Sequence, residues 1–270
     1  MIVWQKKETA IQKSTVLHHV SINKEQGIIS LYSAPYYIEY NIREFLNKKT
    51  DYCSKTNCSK LVSHSAKNAR KLGNGYLFEG FTSDMRFMVA DNSIKVICKD
   101  YPPMLPEEKK EDVAAVHTYN SDMLVSPNKS RWVQTSYIGG ILEIFEYDGG
   151  KIKNIGTNPI YKPVYMGEKQ DVSWEDKTII GFDDMVVTDR YIYTLLNGAM
   201  GKQLKSNPPV NPFTNKITVF DWNGNIKKII NTDCMLLAID VDEREDVCYG
   251  ISIDLKNGYE LRRIPLSMSK

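Results

Sequence analysis

A chain of 270 residues, 42% hydrophobic and 25% charged, has the apolar mass for a packed core, and this balance excludes collagen-like, coiled-coil and disordered compositions. Its 35 Lys and Arg against 33 Asp and Glu leave a net charge of +2 spread along the sequence, so no electrostatic field argues for nucleic acid or an acidic membrane surface. Five cysteines are too few for a disulfide-built scaffold, no run is long enough for a membrane span, and Met1–Thr9 lacks the pattern of an export signal, so the chain reads as soluble.

Short β-branched and aromatic runs, broken by Gly, Asn, Asp or Pro, dominate from Thr15 onward and predict strands. The first group is blurred: VLHHVSI from Val16, GIISLYS from Gly27 and YYIEYNI from Tyr36, followed by Ile42–Leu46 (IREFL) as a short helical candidate. Cys53 and Cys58 lie close enough to pair across a loop. Gly73–Asp100 contributes GYLFEG, MRFMVAD and IKVICKD. Ser121–Gly156 reads as SDMLVS, RWVQTSYI, ILEIFEYD and KIKNIG, joined at Pro127-Asn128, Gly139-Gly140 and Gly149-Gly150. Asp184–Asn231 repeats that meander as DMVVT, RYIYTLL, KITVFDW and NIKKIIN, with Asn223-Gly224 a strong hairpin signal. In the last group, Leu236–Pro265, the residues Val247, Tyr249, Ile251 and Ile253 alternate with smaller or polar ones, the period of two that sends successive side chains to opposite sheet faces.

Ile28, Tyr76, Trp132, Tyr191 and Val247 mark the same place in successive groups, at intervals of roughly 50 to 60 residues. A four-stranded unit repeating at that interval predicts an all-β propeller of antiparallel blades, one domain over residues 1–270, with five blades countable. A two-sheet sandwich, the competing all-β architecture, has no need of the same unit five times. The last group stops at its third strand, and Met1–Gln5 (MIVWQ) is the unassigned apolar piece that would supply a fourth and close the ring.

The phrases LGNGYLFEG (Leu72–Gly80) with Arg86 after it, SPNKSRWVQTSYIGGILEIFEYDGGK (Ser126–Lys151), GFDDMVVTDRYIYTLLNG (Gly181–Gly198), ITVFDWNGNIKK and AIDVDEREDVCYGIS resemble the TolB-like six-bladed propeller family of Bacteroides-type bacteria. The resemblance implies six blades and an exported cell-envelope protein, often lipid-anchored, with no assigned chemistry. None of these phrases is a catalytic signature.

In a propeller blade the first-to-second and third-to-fourth turns lie at one end, and the second-to-third connections and the crossings between blades lie at the other. The first class is short throughout, as at Asp91–Ser93, Pro127–Ser130 and Thr188–Asp189. The second holds nearly all the extra chain, in Arg43–Ala69, Asp100–Asp112, Thr157–Asp176 and Asn197–Asn215, the last a Pro- and Gly-rich insertion that resists helix and strand and reads as a flap. Candidate ligand-binding residues on or beside this end are the aromatics Tyr101, Tyr137, Trp174 and Phe213, with Asp84, Arg86 and Asn197 as polar partners. For Arg86 the sequence leaves two roles, an anionic ligand or a neighbouring carboxylate.

His18, His19, His64 and His117 are scattered, and no phosphate loop, nucleophile elbow or zinc spacing is readable. With the envelope setting that the resemblance implies, the expectation is a non-enzymatic binding protein without a cofactor, taking an envelope protein, peptide or glycan on its loop-rich end. The alternative is a calcium-dependent lactonase or hydrolase, for which Asp84, Asp183, Asp184 and Asn197 are the oxygen ligands available near strand ends.

Overall fold

The computed structural model describes residues 19–266 except 24–26, 34, 48–52, 63–65, 83–84, 92, 102–121, 149, 162–175, 205–212, 243 and 255–257. Within them the chain forms four antiparallel sheets arranged as a β-propeller, each a meander in which consecutive strands pair. The first blade is β1 (His19–Asn23), β2 (Ile28–Ser33), β3 (Tyr36–Asn41) and β4 (Cys53–Asn57). The second is β5 (Ala66–Leu72), β6 (Gly75–Thr82), β7 (Met85–Ala90) and β8 (Lys95–Cys98), and the third β9 (Met123–Val125), β10 (Arg131–Thr135), β11 (Ile141–Asp148) and β12 (Lys151–Pro159). The fourth sheet has six strands: β13 (Phe182–Val187), β14 (Tyr191–Leu196), β15 (Thr214–Asp221), β16 (Ile226–Val241), β17 (Val247–Asp254) and β18 (Gly258–Pro265).

That fourth sheet corrects the count of five separate blades. β16 runs without a break from the outer edge of the fourth blade, where it pairs β15, into the inner position of the next unit, where it pairs β17. Four complete blades and a three-stranded continuation result. The segments read as NIKKIIN and LLAIDV are therefore one strand, bent at the irregular register between Thr214 and Lys216.

Alternation along the strands builds four apolar layers between successive units. Trp132 of β10 enters the layer between the second and third blades with Phe87, Phe145 and Leu77, while its neighbour Val133 enters the next layer with Phe182, Ile192 and Phe220. Tyr193 and Leu195 of β14 meet Leu236, Val241 and Cys248 in the last layer, and Tyr32 and Tyr37 meet Tyr76 and Phe78 in the first. From the second blade onward the first strand of a unit faces that of the next around the axis, β5 against β9, β9 against β13, and β13 against β16.

The stretch read as the connection Arg43–Ala69 contains one strand, β4, and the start of another, β5. β4 (CSKTN) has no apolar signature because it is an outer edge strand, held by pairing with β3 alone. β5 (AKNARKL) buries Asn68 and Arg70 as well as Ala66, Ala69 and Leu72, so an inner strand with polar contents does not register as an apolar run. Ile42–Leu46 is helical as expected (α1), its start capped where the Glu44 amide donates to Asn41 Oδ1 at 3.2 Å. Cys58 is a buried free thiol, so the Cys53–Cys58 pairing is not formed.

Candidate functional site

The loop-rich end is organised by a close approach of two connections. After β10 the chain turns through Gly139 and Gly140, both with positive φ, and the crossing from β12 returns alongside it at residues 178–182. The Gly181 amide donates to the Tyr137 carbonyl, the Phe182 amide to the Ser136 carbonyl at 3.2 Å, and the Gly139 amide to the Ile179 carbonyl at 3.0 Å. A Cβ on Gly181 would collide with the backbone of Ser136 and Gly140. The doublet Gly139-Gly140 and Gly181 are therefore what let these segments meet, and their meeting fixes Tyr137 at the surface, 39% exposed.

Beside Tyr137 stand Asp183 and Asn197, which the hairpin from β13 to β14 brings together. Asn197 Nδ2 donates to Asp183 Oδ2 at 2.7 Å, while Asn197 Oδ1 accepts the Ala199 amide at 2.9 Å. Burial pushes the Asp183 carboxyl up to about 6, with the Asn197 bond pulling the other way. Burial, and then the Asp183 charge, raises the Tyr137 phenol. Asp184 points elsewhere, as alternation requires: its Oδ2 accepts the Ile239 amide of β16 at 2.7 Å, tying the fourth blade to the next unit. Its carboxyl is also pushed up to about 6, by burial first and further by Asp122 and Asp240, against the pull of its backbone hydrogen bonds to Ile239 and Met185.

These directions set a pH dependence. A carboxyl whose folded pKa lies above its unfolded value of 3.8 binds more protons in the folded state, so the stability it contributes is fully present below pH 4 and is lost as pH rises through about 6. Asp183→Asn keeps an acceptor for Asn197 and is expected to flatten this fall by about 1 kcal/mol, a value reduced for partial solvent screening. Melting curves of wild type and variant between pH 4 and 7 test it. A variant that keeps the full wild-type slope contradicts the assignment.

A second polar group lies between the second and third blades. Arg86 and Glu143, 1% and 2% exposed, form a bidentate ion pair in which Arg86 Nη1 also donates to the Asp100 carbonyl at 3.0 Å, and Asn154 Nδ2 donates to Glu143 at 3.1 Å. The guanidinium is enclosed by the rings of Phe87, Tyr101 and Phe145, with centroids 4.9, 5.1 and 5.5 Å away. Of the two roles open to Arg86, the carboxylate partner is the one seen. Tyr101 is buried against Arg86 and offers no open stacking surface. Nearby, Gln134 Nε2 donates to the fully buried Glu79 at 3.0 Å.

Tyr137, Asp183 and Asn197 thus come together, Arg86 and Tyr101 form a separate buried group, and Phe213 is half-buried at the start of β15. Asp84 and Trp174 lie outside the described residues. Among the described residues no three His, Cys, Asp or Glu side chains are placed to hold a metal ion. The insertion at Asn197–Asn215 departs from expectation in its described part, where Gly201–Leu204 forms a helical turn (α2) and Met200 bridges to Ile179. The Gln203 side chain, accepting the Met200 amide at 2.7 Å, supplies the local bond that composition alone does not reveal. Tyr161 was missed by the sequence reading; it packs over Gly198, where an added Cβ would come within 2.8 Å of its hydroxyl.

A model of the family described as "TolB-like 6-blade propeller-like" matches residues 38–244, most of the chain. The chain belongs to this TolB-like propeller family. No curated protein matches it in sequence. Among solved structures, this TolB-like chain is similar to Kluyveromyces marxianus Hsv2, at 11% identity and a TM-score of 0.52, over 94% of this chain and 59% of that one. It is also similar to an Hsv2 whose loop 6CD is replaced by a Gly-Ser linker (12% identity, TM-score 0.51, 94% and 64% of the two chains) and to Chaetomium thermophilum Raptor (9%, 0.52, 93% and 19%). These likenesses show the fold, and the TolB-like chain spans about three fifths of the Hsv2 structures it matches. No helix among its described residues is long and apolar enough to cross a membrane.

Proposed function

We propose that this chain is a non-enzymatic interaction propeller of the bacterial cell envelope, of the Bacteroides type, one domain that takes a protein, peptide or glycan on its loop-rich end. The observation that carries the reading is Tyr137 standing exposed beside the hydrogen-bonded Asp183 and Asn197, at the end of the ring where the long connections gather. A rigid aromatic with an adjacent amide and carboxylate offers stacking area and directed hydrogen bonds together, which is what recognition of a peptide or sugar needs. The opposite end supports the same reading by contrast: its short turns are tied to one another, Thr188 to Glu245, Arg190 to Glu245, and Trp222 Nε1 to the Thr188 carbonyl at 3.0 Å.

Two adjacent raised carboxyls at the opening of a blade make calcium-dependent hydrolysis the second reading. It ranks second because Asp183 Oδ2 and Asp184 Oδ2 already accept protein N–H groups. Thermal shift with calcium and with chelator separates the two. The interaction reading expects an unchanged melting temperature and a partner affinity at least tenfold weaker in Tyr137→Ala than in Asp189→Ala. A calcium-dependent rise abolished by Asp183→Asn overturns it.

A further inference from the structure

The unit built from the second half of β16, β17 and β18 has two faces of different fate. Alternation sends Val241, Cys248 and Ile264 into the last layer, against the fourth blade. The residues between them share the opposite face, in rows set by the register. Asp240, Tyr249 and Arg263 form one row, and Ala238, Ile251 and Leu261 the next, with Ile253 beside Tyr259 beyond them. Tyr249 and Ile251 are exposed, and Tyr259 and Leu261 are 70% and 75% exposed. Four large apolar side chains standing together in water mark a surface that meets another protein. Met1–Gln5, read as a fourth strand for this unit, lies outside the described residues.

We propose that this face packs on the same face of a second copy of the chain, about a two-fold axis lying along β17. The pattern of the face itself carries the choice of occupant. Its first row runs from an acid on β16 to a base on β18, and both Asp240 and Arg263 are exposed. Asp240 Oδ1 accepts the Val241 amide at 2.9 Å, which holds the carboxylate in place on this strand. Rotation about β17 keeps each row level and reverses the order of the strands, so β16 of one copy lies over β18 of the other. Asp240 then meets the partner's Arg263, and Arg263 meets the partner's Asp240, two opposite-charge contacts from one symmetry operation. In the second row the projecting Leu261 lies over the partner's Ala238, large against small, while Ile251 lies over the partner's Ile251. A two-fold axis across the strands would lay β16 on β16 and β18 on β18, pairing neither charge, so charge fixes the orientation. Aligned sheets pack about 10 Å apart with their side chains interdigitated, and these rows fill that gap. Because the strands run between the loop-rich and short-turn ends, rotation about one of them leaves both loop-rich ends on the same side. Two Tyr137 surfaces are then presented together, which raises avidity for a repetitive partner if that end binds as read above.

Sedimentation equilibrium of the 270-residue chain between roughly 1 and 100 μM tests this. The wild type is expected to pass from monomer to dimer within that range. Asp240→Arg and Arg263→Asp each set like charges against one another across the two-fold axis, and each alone is expected to weaken association by roughly tenfold or more. Mixed in equal amounts, the two variants are expected to recover it, because every cross-copy contact then joins an arginine to an aspartate. Recovery cannot come from misfolded chains, so it separates a lost contact from a lost fold. A wild type that stays monomeric overturns the proposal and leaves the face to a different protein. Dimers that persist unchanged in both single variants, as edge-to-edge pairing of β18 would, overturn it, and so does a mixture that shows no recovery.

Discussion

Replacing Arg86 by methionine is expected to cost about 3 to 5 kcal/mol, the loss typical when one member of a buried ion pair is removed. The cause is what remains. Glu143 is 2% exposed and, among the described residues, would keep the Asn154 side-chain amide as its donor, leaving a carboxylate in a layer of Phe87, Phe145 and Trp132. Arg86→Lys is not a mild version of this change, because an ammonium cannot span both Glu143 oxygens and the Asp100 carbonyl in one plane. The double variant Arg86→Met/Glu143→Leu removes both charges and is expected to recover most of the loss, since well-packed apolar residues often replace such pairs without penalty. Denaturant midpoints for the two single variants and the double one measure the coupling. A single variant within 1 kcal/mol of wild type would mean the pair does not organise the interface between the second and third blades.

A comparable loss, about 3 to 5 kcal/mol, is expected for Trp132→Ala. Trp132 is fully buried, stacked on Phe145 at 5.3 Å between centroids and set edge-on to Phe87 at 5.8 Å. It is the largest fully buried side chain among the described residues, and nothing small can fill the layer it shares with Leu77 and Met123. Among the described residues its buried indole Nε1 has no hydrogen-bond partner, so the ring acts in this layer as apolar volume. Trp132→Phe is therefore expected to cost about 1.5 kcal/mol or less. Equal losses for alanine and phenylalanine would show that the indole N–H has a role that the packing does not explain.

Arg86 and Trp132 border the same layer, and the sequence marks them unequally. Trp132 was marked as the recurring aromatic of a second strand, and strands β9 to β12 and β13 to β15 lie where period-two runs and Gly or Asn-Gly turns put them. Local signals suffice for a hairpin because a strand pairs with its neighbour in the chain. The Arg86–Glu143 pair joins residues 57 apart in different blades, so no local pattern contains it. Asp183 and Asn197 are 14 apart across one hairpin, close enough for the sequence to nominate both, though not to show that they touch. β5 stayed hidden because Asn68 and Arg70 are buried by polar contacts, Arg70 Nη1 donating to Asn68 Oδ1 at 3.1 Å, where an apolar-run criterion expects Val or Ile. Asp183 and Asp184 looked alike as neighbouring acids. The strand sends them to different partners, Asn197 and the Ile239 amide, and that divergence is a property of the pleat rather than of composition.

The account rests on the loop-rich end being the surface at which partners are met. Site-specific photocrosslinking in cells that produce the protein tests that directly, with the reactive side chain placed at Tyr137 on one end and at Asp189 in the short β13–β14 turn on the other. The account predicts a defined crosslinked species from position 137, lost when Asn197→Ala is added, and none from position 189. A crosslinked partner captured from position 189 and not from 137 would contradict it.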